Sequence, residues 1–348
     1  MVMQAVMRGL LQNQETNSRS TLQFRSGQIF FGTVQRLFPN QYAEINLGAH
    51  KVIAKLEVPL SSGKGYWLQV NSNEGAPKLK LLNPSSHYGI AEKEFSASLL
   101  QQLGLQNGKI NQSLIRHIKD DSFFLTKEEM IRASQLLNQS DNLEEGLQII
   151  KLMSQKNLPF NEGIFKSLLA AGSNESTTEL VKALQATLLA DKNLSDTGKD
   201  ILRLLQSLDS DDTELLLNRR EDVLSLLKQS IKRTGIFYEN RMLDREFSNE
   251  LIKDSIKPLL VAYLQEFSQS PKSEAKNIVE QLLFRMNGFQ LLSSENGPIH
   301  HLLFEIPIKL GVYQSEIVMQ WSGKRTENGK INSDFCRIIF YLDLEHLK

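Results

Sequence analysis

The hydrophobic period of this 348-residue chain changes twice, and those two changes limit its possible folds more than any other feature. Between Thr21 and Leu82 apolar and polar residues alternate, as in Leu22-Gln23-Phe24-Arg25 and Tyr42-Ala43-Glu44-Ile45-Asn46-Leu47. That period of two sends successive side chains to opposite faces of a strand. From Ser86 to Asn287-Gly288 apolar residues recur every three to four positions, the mark of amphipathic helices. The two-residue period then returns in Leu302–Ile308, Glu316–Trp321 and Phe335–Leu342. A chain patterned this way is expected to be multi-domain α+β, with a small N-terminal β-barrel-like module, a central helical bundle or array and a C-terminal β-rich segment. The boundaries read as a flexible leader at 1–20, the barrel-like module at 21–84, the helical region at 85–290 and the start of a second β module at 291–348, which is expected to stop before it is complete.

The first module has room for five short strands, the first at Leu22–Arg25, separated by Pro39-Asn40, Gly48 and Ser61–Gly65, spacing that suits a closed barrel of the OB or SH3-like kind. Gly27–Val34 together with Asn46-Leu47-Gly48 resembles the opening of RNA-binding S1-type barrels. Phe30, Phe31, Tyr66 and Trp67 either fill and flank the barrel core or face outward as a stacking platform. Lys plus Arg and Asp plus Glu both total 40, so no global field steers the chain to a partner. From Asn17 to Ser85, however, eight basic residues face three acidic ones. Arg36, Lys51 and Lys55 are the candidate nucleic-acid contacts of this local excess.

Within the helical region, Thr126-Lys127-Glu128-Glu129 has the form of a capping box, and Asp141 and Asn161 read as helix starts. Asp209-Ser210-Asp211-Asp212-Thr213-Glu214 lacks the glycine and closing glutamate of a calcium loop and reads as a solvated helix end. The stripe from Glu221 to Phe267 has Gly235 and Pro258 as its weak points, and Ser270-Pro271 reads as the opening of the last helix.

Signs of chemistry are few. The six histidines are scattered, and no phosphate loop, nucleophile elbow or dinucleotide glycine fingerprint occurs. No cofactor, metal or small-molecule substrate is expected, and no enzyme activity. Cys336 is the one cysteine, and no segment approaches the apolar length of a membrane span, so a cytoplasmic, reducing setting is expected.

Gly235-Ile236-Phe237-Tyr238-Glu239, followed by Pro258-Leu259-Leu260 and by Phe304-Glu305-Ile306-Pro307-Ile308, resembles the flagellar hook-length control protein family, particularly its Gram-positive members. The resemblance implies a non-enzymatic protein that binds the cytoplasmic domain of a type III export-gate component and regulates substrate switching. It also implies export by that pathway. Phe237, Tyr238, Glu239 and Arg241 become the candidate partner-binding residues, although on structural grounds Phe237 and Tyr238 read first as core. The chain differs from hook-measuring members in having a helical middle instead of a Pro- and Gln-rich ruler. A second reading, from a different class, is RNA or single-stranded nucleic-acid binding by the basic barrel.

Overall fold

The structure, a computed structural model, describes residues 24–48, 50–72, 75–82, 92–209, 225, 228–229, 231–236, 238–239, 254–269, 271, 273–293, 299–310, 313–325 and 331–342. The chain forms two compact units that divide between Phe165 and Lys166.

The first unit opens with a closed barrel of β1 (Ile29–Phe38), β2 (Tyr42–Leu47), β3 (His50–Leu56), β4 (Gly65–Ser72) and β5 (Lys78–Leu81). The strand order is β1-β2-β3-β5-β4, with β3 and β5 parallel and β1 closing on β4. This is OB-type connectivity, the first of the two barrels the spacing allowed. Inward positions alternate along each strand, so Phe30, Val34, Ala43, Ile45, Leu47, Ala54, Leu56, Leu68, Val70 and Leu79 form one core. Pro39–Gln41 makes the turn between β1 and β2. Of the strand expected at Leu22–Arg25, the described residues Phe24 and Arg25 are not in a strand. Phe24 instead packs its ring against Phe30 and Phe124 at 5.6 and 5.7 Å. The fifth strand is Lys78–Leu81, four residues too short to show a period.

Among the described residues of this unit the helices that follow are α1 (Glu92–Leu103), α2 (Lys109–Asp121), α3 (Lys127–Asn138) and α4 (Leu143–Gln155). Thr126 caps α3 as its sequence requires, its hydroxyl accepting from Glu129 N–H at 3.2 Å while its own N–H donates to the Glu129 carboxylate at 2.8 Å. Asn142, one residue past the expected Asp141, caps α4. The barrel is joined to this layer by the backbone: Ile29 N–H donates to Leu125 O at 2.8 Å.

Helix α5 (Glu162–Gly172) leads into the second unit, with α6 (Thr177–Ala190), α7 (Asp196–Asp209), α8 (Ile256–Glu266) and α9 (Glu274–Leu292). Ser176 and Glu179 make a second capping box on α6. Leu180, Leu184, Leu188, Ile201, Leu205, Leu260, Tyr263, Val279 and Leu282 from these helices share one core. Pro258 is no weak point, since it lies in the first turn of α8, where its missing amide costs nothing. Ser273, not Ser270-Pro271, caps α9, accepting from Lys276 N–H at 3.2 Å.

Asn287-Gly288 does not end the helical region either, because α9 runs on to Leu292. The glycine is there for close approach: a Cβ at 288 would lie 2.1 Å from the Ser167 carbonyl oxygen and 2.6 Å from Ala171 Cβ. The chain finishes in an antiparallel sheet, β6 (Ile299–Leu310), β7 (Tyr313–Arg325) and β8 (Ile331–Leu342), in that order. All three strands outrun their sequence patterns, and the long polar loop expected at Ser322–Asp334 is largely ladder. The leader at 1–20, the boundary Asn83–Ser86 and the acidic residues 210–214 lie outside the described residues.

Gly288→Ala is expected to lower stability by about 2 kcal/mol in urea denaturation. Alanine gains at most about 1 kcal/mol of helix propensity, while forcing backbone apart costs about 1–3 kcal/mol or more. A variant as stable as the parent would show that α5 and α9 do not touch at this point.

Candidate functional site

On the barrel, the register brings the three candidate basic residues together on one outer face. Arg36 lies opposite Glu44, Lys51 opposite Asn46, and Lys55 opposite Tyr42. A register shift between Val34 and Arg36 re-aims the end of β1, so that Phe38, paired with Tyr42, is exposed and Leu37 is exposed beside it. Ile53, opposite Glu44, is 57% exposed at the centre of the face. Glu44 holds Lys51 at 3.6 Å, leaving the patch with three cations around one carboxylate. The other aromatics are committed elsewhere. Phe30, Tyr66 and Trp67 are buried. Phe31 packs edge-on to Trp67 at 5.8 Å and lies under Lys119 of α2 at 5.4 Å. Phe30, Phe31, Tyr66 and Trp67 therefore fill or flank the core, and the outer β1–β2–β3 face is built from Phe38, Tyr42 and Ile53.

In the second unit, the Gly235 stretch forms a joint. Gly235 sits at φ +73°, a conformation that costs glycine little, and a Cβ there would lie 3.1 Å from both Pro258 Cδ and Ser255 Cβ. The chain reverses just there: Tyr238 N–H donates to Gly235 O at 3.0 Å. Glu239 then reaches Lys257, whose side chain is only 2% exposed, and forms an ion pair with it. Gln290 of α9 completes the network, accepting from Lys257 Nζ at 2.6 Å and donating to Ile236 O at 2.5 Å and to Glu239 at 3.2 Å. Burial holds the Lys257 amine below its ordinary range despite the neighbouring carboxylate. Burial pushes the Glu239 carboxyl up, but the hydrogen bonds from Lys257 and the backbone, with the Lys257 charge, hold it below the usual range. Glu239 is exposed, and its carboxylate is engaged by Lys257 and Gln290 of its own unit. Tyr238 is half-buried. Phe237 and Arg241 lie outside the described residues.

A third cluster is not singled out as a site by the sequence, although its Glu305 lies in the segment Phe304–Ile308 that resembles the family. Arg285 of α9 and Glu305 of β6 are both buried and meet side-on, Nε to Oε2 at 2.8 Å and Nη2 to Oε1 at 2.5 Å. The same guanidinium donates to Ala170 O at 2.9 Å and Ser173 Oγ at 3.2 Å, at the end of α5, and to Thr177 Oγ1 at 3.1 Å. The Thr177 hydroxyl donates in turn to Glu305, and Thr178 N–H donates to Glu316 of β7. Charge is matched here by planar, bidentate geometry, which is what makes a buried ion pair tolerable.

Among the described residues, no group of three or more His, Cys, Asp or Glu is placed to hold a metal ion, and no helix is long and apolar enough to cross a membrane.

Residues 6–80 match the family described as the TP0910 S1-like domain. Among curated proteins, conserved oligomeric Golgi complex subunit 6 of Kluyveromyces lactis is 32% identical over 83 residues, 24% of this chain. The chain spans only 11% of the length of that relative. No solved structure matches.

Glu239→Ala should cost about 1–2 kcal/mol at neutral pH, because it strands a buried ammonium; the half-exposed carboxylate keeps the loss below the 3–5 kcal/mol typical of fully buried pairs. The Glu239 carboxyl titrates lower folded than unfolded, so its contribution is full above the unfolded value and is lost as pH falls through the folded one. Urea denaturation at neutral and acid pH checks both statements; equal stability of variant and parent at neutral pH would rule out the joint.

Proposed function

We propose that this chain is a non-enzymatic binding protein of the flagellar hook-length control kind, which engages the cytoplasmic domain of a type III export-gate component. The observation that carries this reading is the place of Gly235–Glu239. Gly235 lies against Ser255 and Pro258 at the start of α8, Ile236 and Glu239 bond to Gln290 of α9, and the stretch precedes the C-terminal sheet in the chain, the order the resemblance implies. Ile231 and Ile236 pack against Phe304 and Met319, so the same segment also touches the sheet. Beyond that cover, the apolar row Phe304–Met319–Phe340 continues to a Phe340 that is 54% exposed on the edge strand, with Ile338 exposed beside it. An apolar strip on a sheet edge suits docking to another protein. On this reading the protein is cytoplasmic, with export through the type III pathway, and uses no cofactor or metal.

Purified full chain is expected to be retained by an immobilised export-gate cytoplasmic domain and to lose retention on Phe340→Asp, a surface change that leaves the fold intact. Retention unaffected by Phe340→Asp would remove the sheet edge from the interface. No retention of the parent would overturn the reading.

A second reading is favoured by the match of residues 6–80 to an S1-like domain and by the outer barrel face. There Phe38 and Tyr42 supply stacking surface, while Arg36, Lys51 and Lys55 supply phosphate contacts. Three such contacts give a slope of log K against log salt of about −2 for a single strand, and each alanine removes about 0.7 of it. Fluorescence anisotropy with a 20-nucleotide oligouridine is expected to show this slope, reduced in Arg36→Ala and Lys55→Ala. Absence of binding at low salt would overturn the nucleic-acid reading and leave the first untouched.

A further inference from the structure

We propose that the junction between the first turn of α6 and strands β6 and β7 is a proton-operated latch: the one buried guanidinium pairs with only one of two neighbouring carboxylates, and the other, Glu316, takes up a proton when the sheet is seated on the helix. The geometry sets the shortage of charge. Glu305 pairs with Val318 and Pro307 with Glu316, so the two glutamates are diagonal neighbours on one face of adjacent strands. Arg285 spends both of its bidentate nitrogens on Glu305, and its remaining one on Ala170 and Ser173. Glu316 is left with the Thr178 N–H.

The other groups do not make good the deficit. From α6, Glu179 is exposed and bonded to Ser176, and Lys182 is exposed near it. From β8, Tyr341 bonds through its hydroxyl to Gln320. His301, on the same sheet face, sits two positions further along from Glu305 and bonds to Ser322. Helix α5 presents only the neutral Ala170 carbonyl and Ser173. The Thr178 hydroxyl and the more distant Arg285 charge favour the Glu316 carboxylate, but by less than burial and the Glu305 charge oppose it.

Burial first, then the Glu305 charge, pushes the Glu316 carboxyl up to about 7. A carboxyl that titrates higher folded than unfolded binds its proton more tightly in the folded state. The stabilisation is therefore full below the unfolded value of 4.5 and is lost as pH rises through about 7.

The test is urea denaturation of the full chain from pH 5 to 8.5. One linked proton makes the unfolding constant rise by up to about tenfold per pH unit between 5 and 7. That rise is expected to disappear in Glu316→Gln and to persist in Glu179→Gln. Parallel curves for the parent and Glu316→Gln would overturn the latch. Should Glu316→Gln fail to fold, hydrogen exchange of the parent decides: protection factors at Thr178–Leu180 are expected to be higher at pH 6 than at pH 8, and equal factors would overturn it.

Discussion

The second unit depends on the Arg285 guanidinium. It is buried, and it reaches the C-terminal carbonyls of α5, the N-terminal threonine of α6 and the Glu305 carboxylate on β6 from a single side chain on α9. Removing such a charge from water costs several kcal/mol, and only complete pairing returns it. All five donors of an arginine have to find acceptors in a fixed fork, so the elements that supply those acceptors are fixed in relative position. The close contact of Gly288 with Ser167, one turn further along α9, follows from the same approach of α5 and α9. A larger residue at 288 would hold the helices apart and pull the Ala170 carbonyl out of reach of the guanidinium.

The Gly235 joint works on the same principle with a different cation. Lys257 is buried at the start of α8 and is neutralised by Glu239, which the turn at Gly235 delivers, while Gln290 ties both to α9. The residues that most resemble a known family therefore spend their polar chemistry on the protein itself. Among the described residues of this unit, Phe340 and Ile338 form an exposed apolar strip at the edge of the sheet. On the barrel the division is reversed. Its aromatics Phe30, Tyr66 and Trp67 are buried, and polar or charged residues ring the exposed Ile53. The two units thus expose surfaces of different character, one an apolar strip and the other a basic patch around Ile53.

Much of the fold was legible in the sequence. The change from a period of two to a helical period and back located the barrel, the helices and the terminal sheet, because burial of one face is enforced along every element. The capping box at Thr126 was legible for the same reason: its partners are three residues apart. Errors fell where a local sign had a second meaning. Asn287-Gly288 carries the composition of a helix stop but serves helix–helix contact. Ser270-Pro271 has the form of a helix start, yet Ser273 takes the cap. Lys78–Leu81 is a strand only because β3 and β4 flank it.

The candidate sites divide along the same line. From sequence alone came the local basic excess that made Arg36, Lys51 and Lys55 candidates, and the glycine that marks a joint before Phe237 and Tyr238. Only the tertiary structure decided which residues meet. Thr177 and Arg285 lie 108 positions apart, and Glu305 a further 20 beyond Arg285. No periodicity encodes such a pairing, since an ion pair is selected by the packing of whole elements rather than by its neighbours in the chain. The barrel face has the same origin: strand register, not composition, set Tyr42 beside Lys55 and Ile53 beside Glu44, and placed Trp67 beside Phe31, buried outside the barrel core.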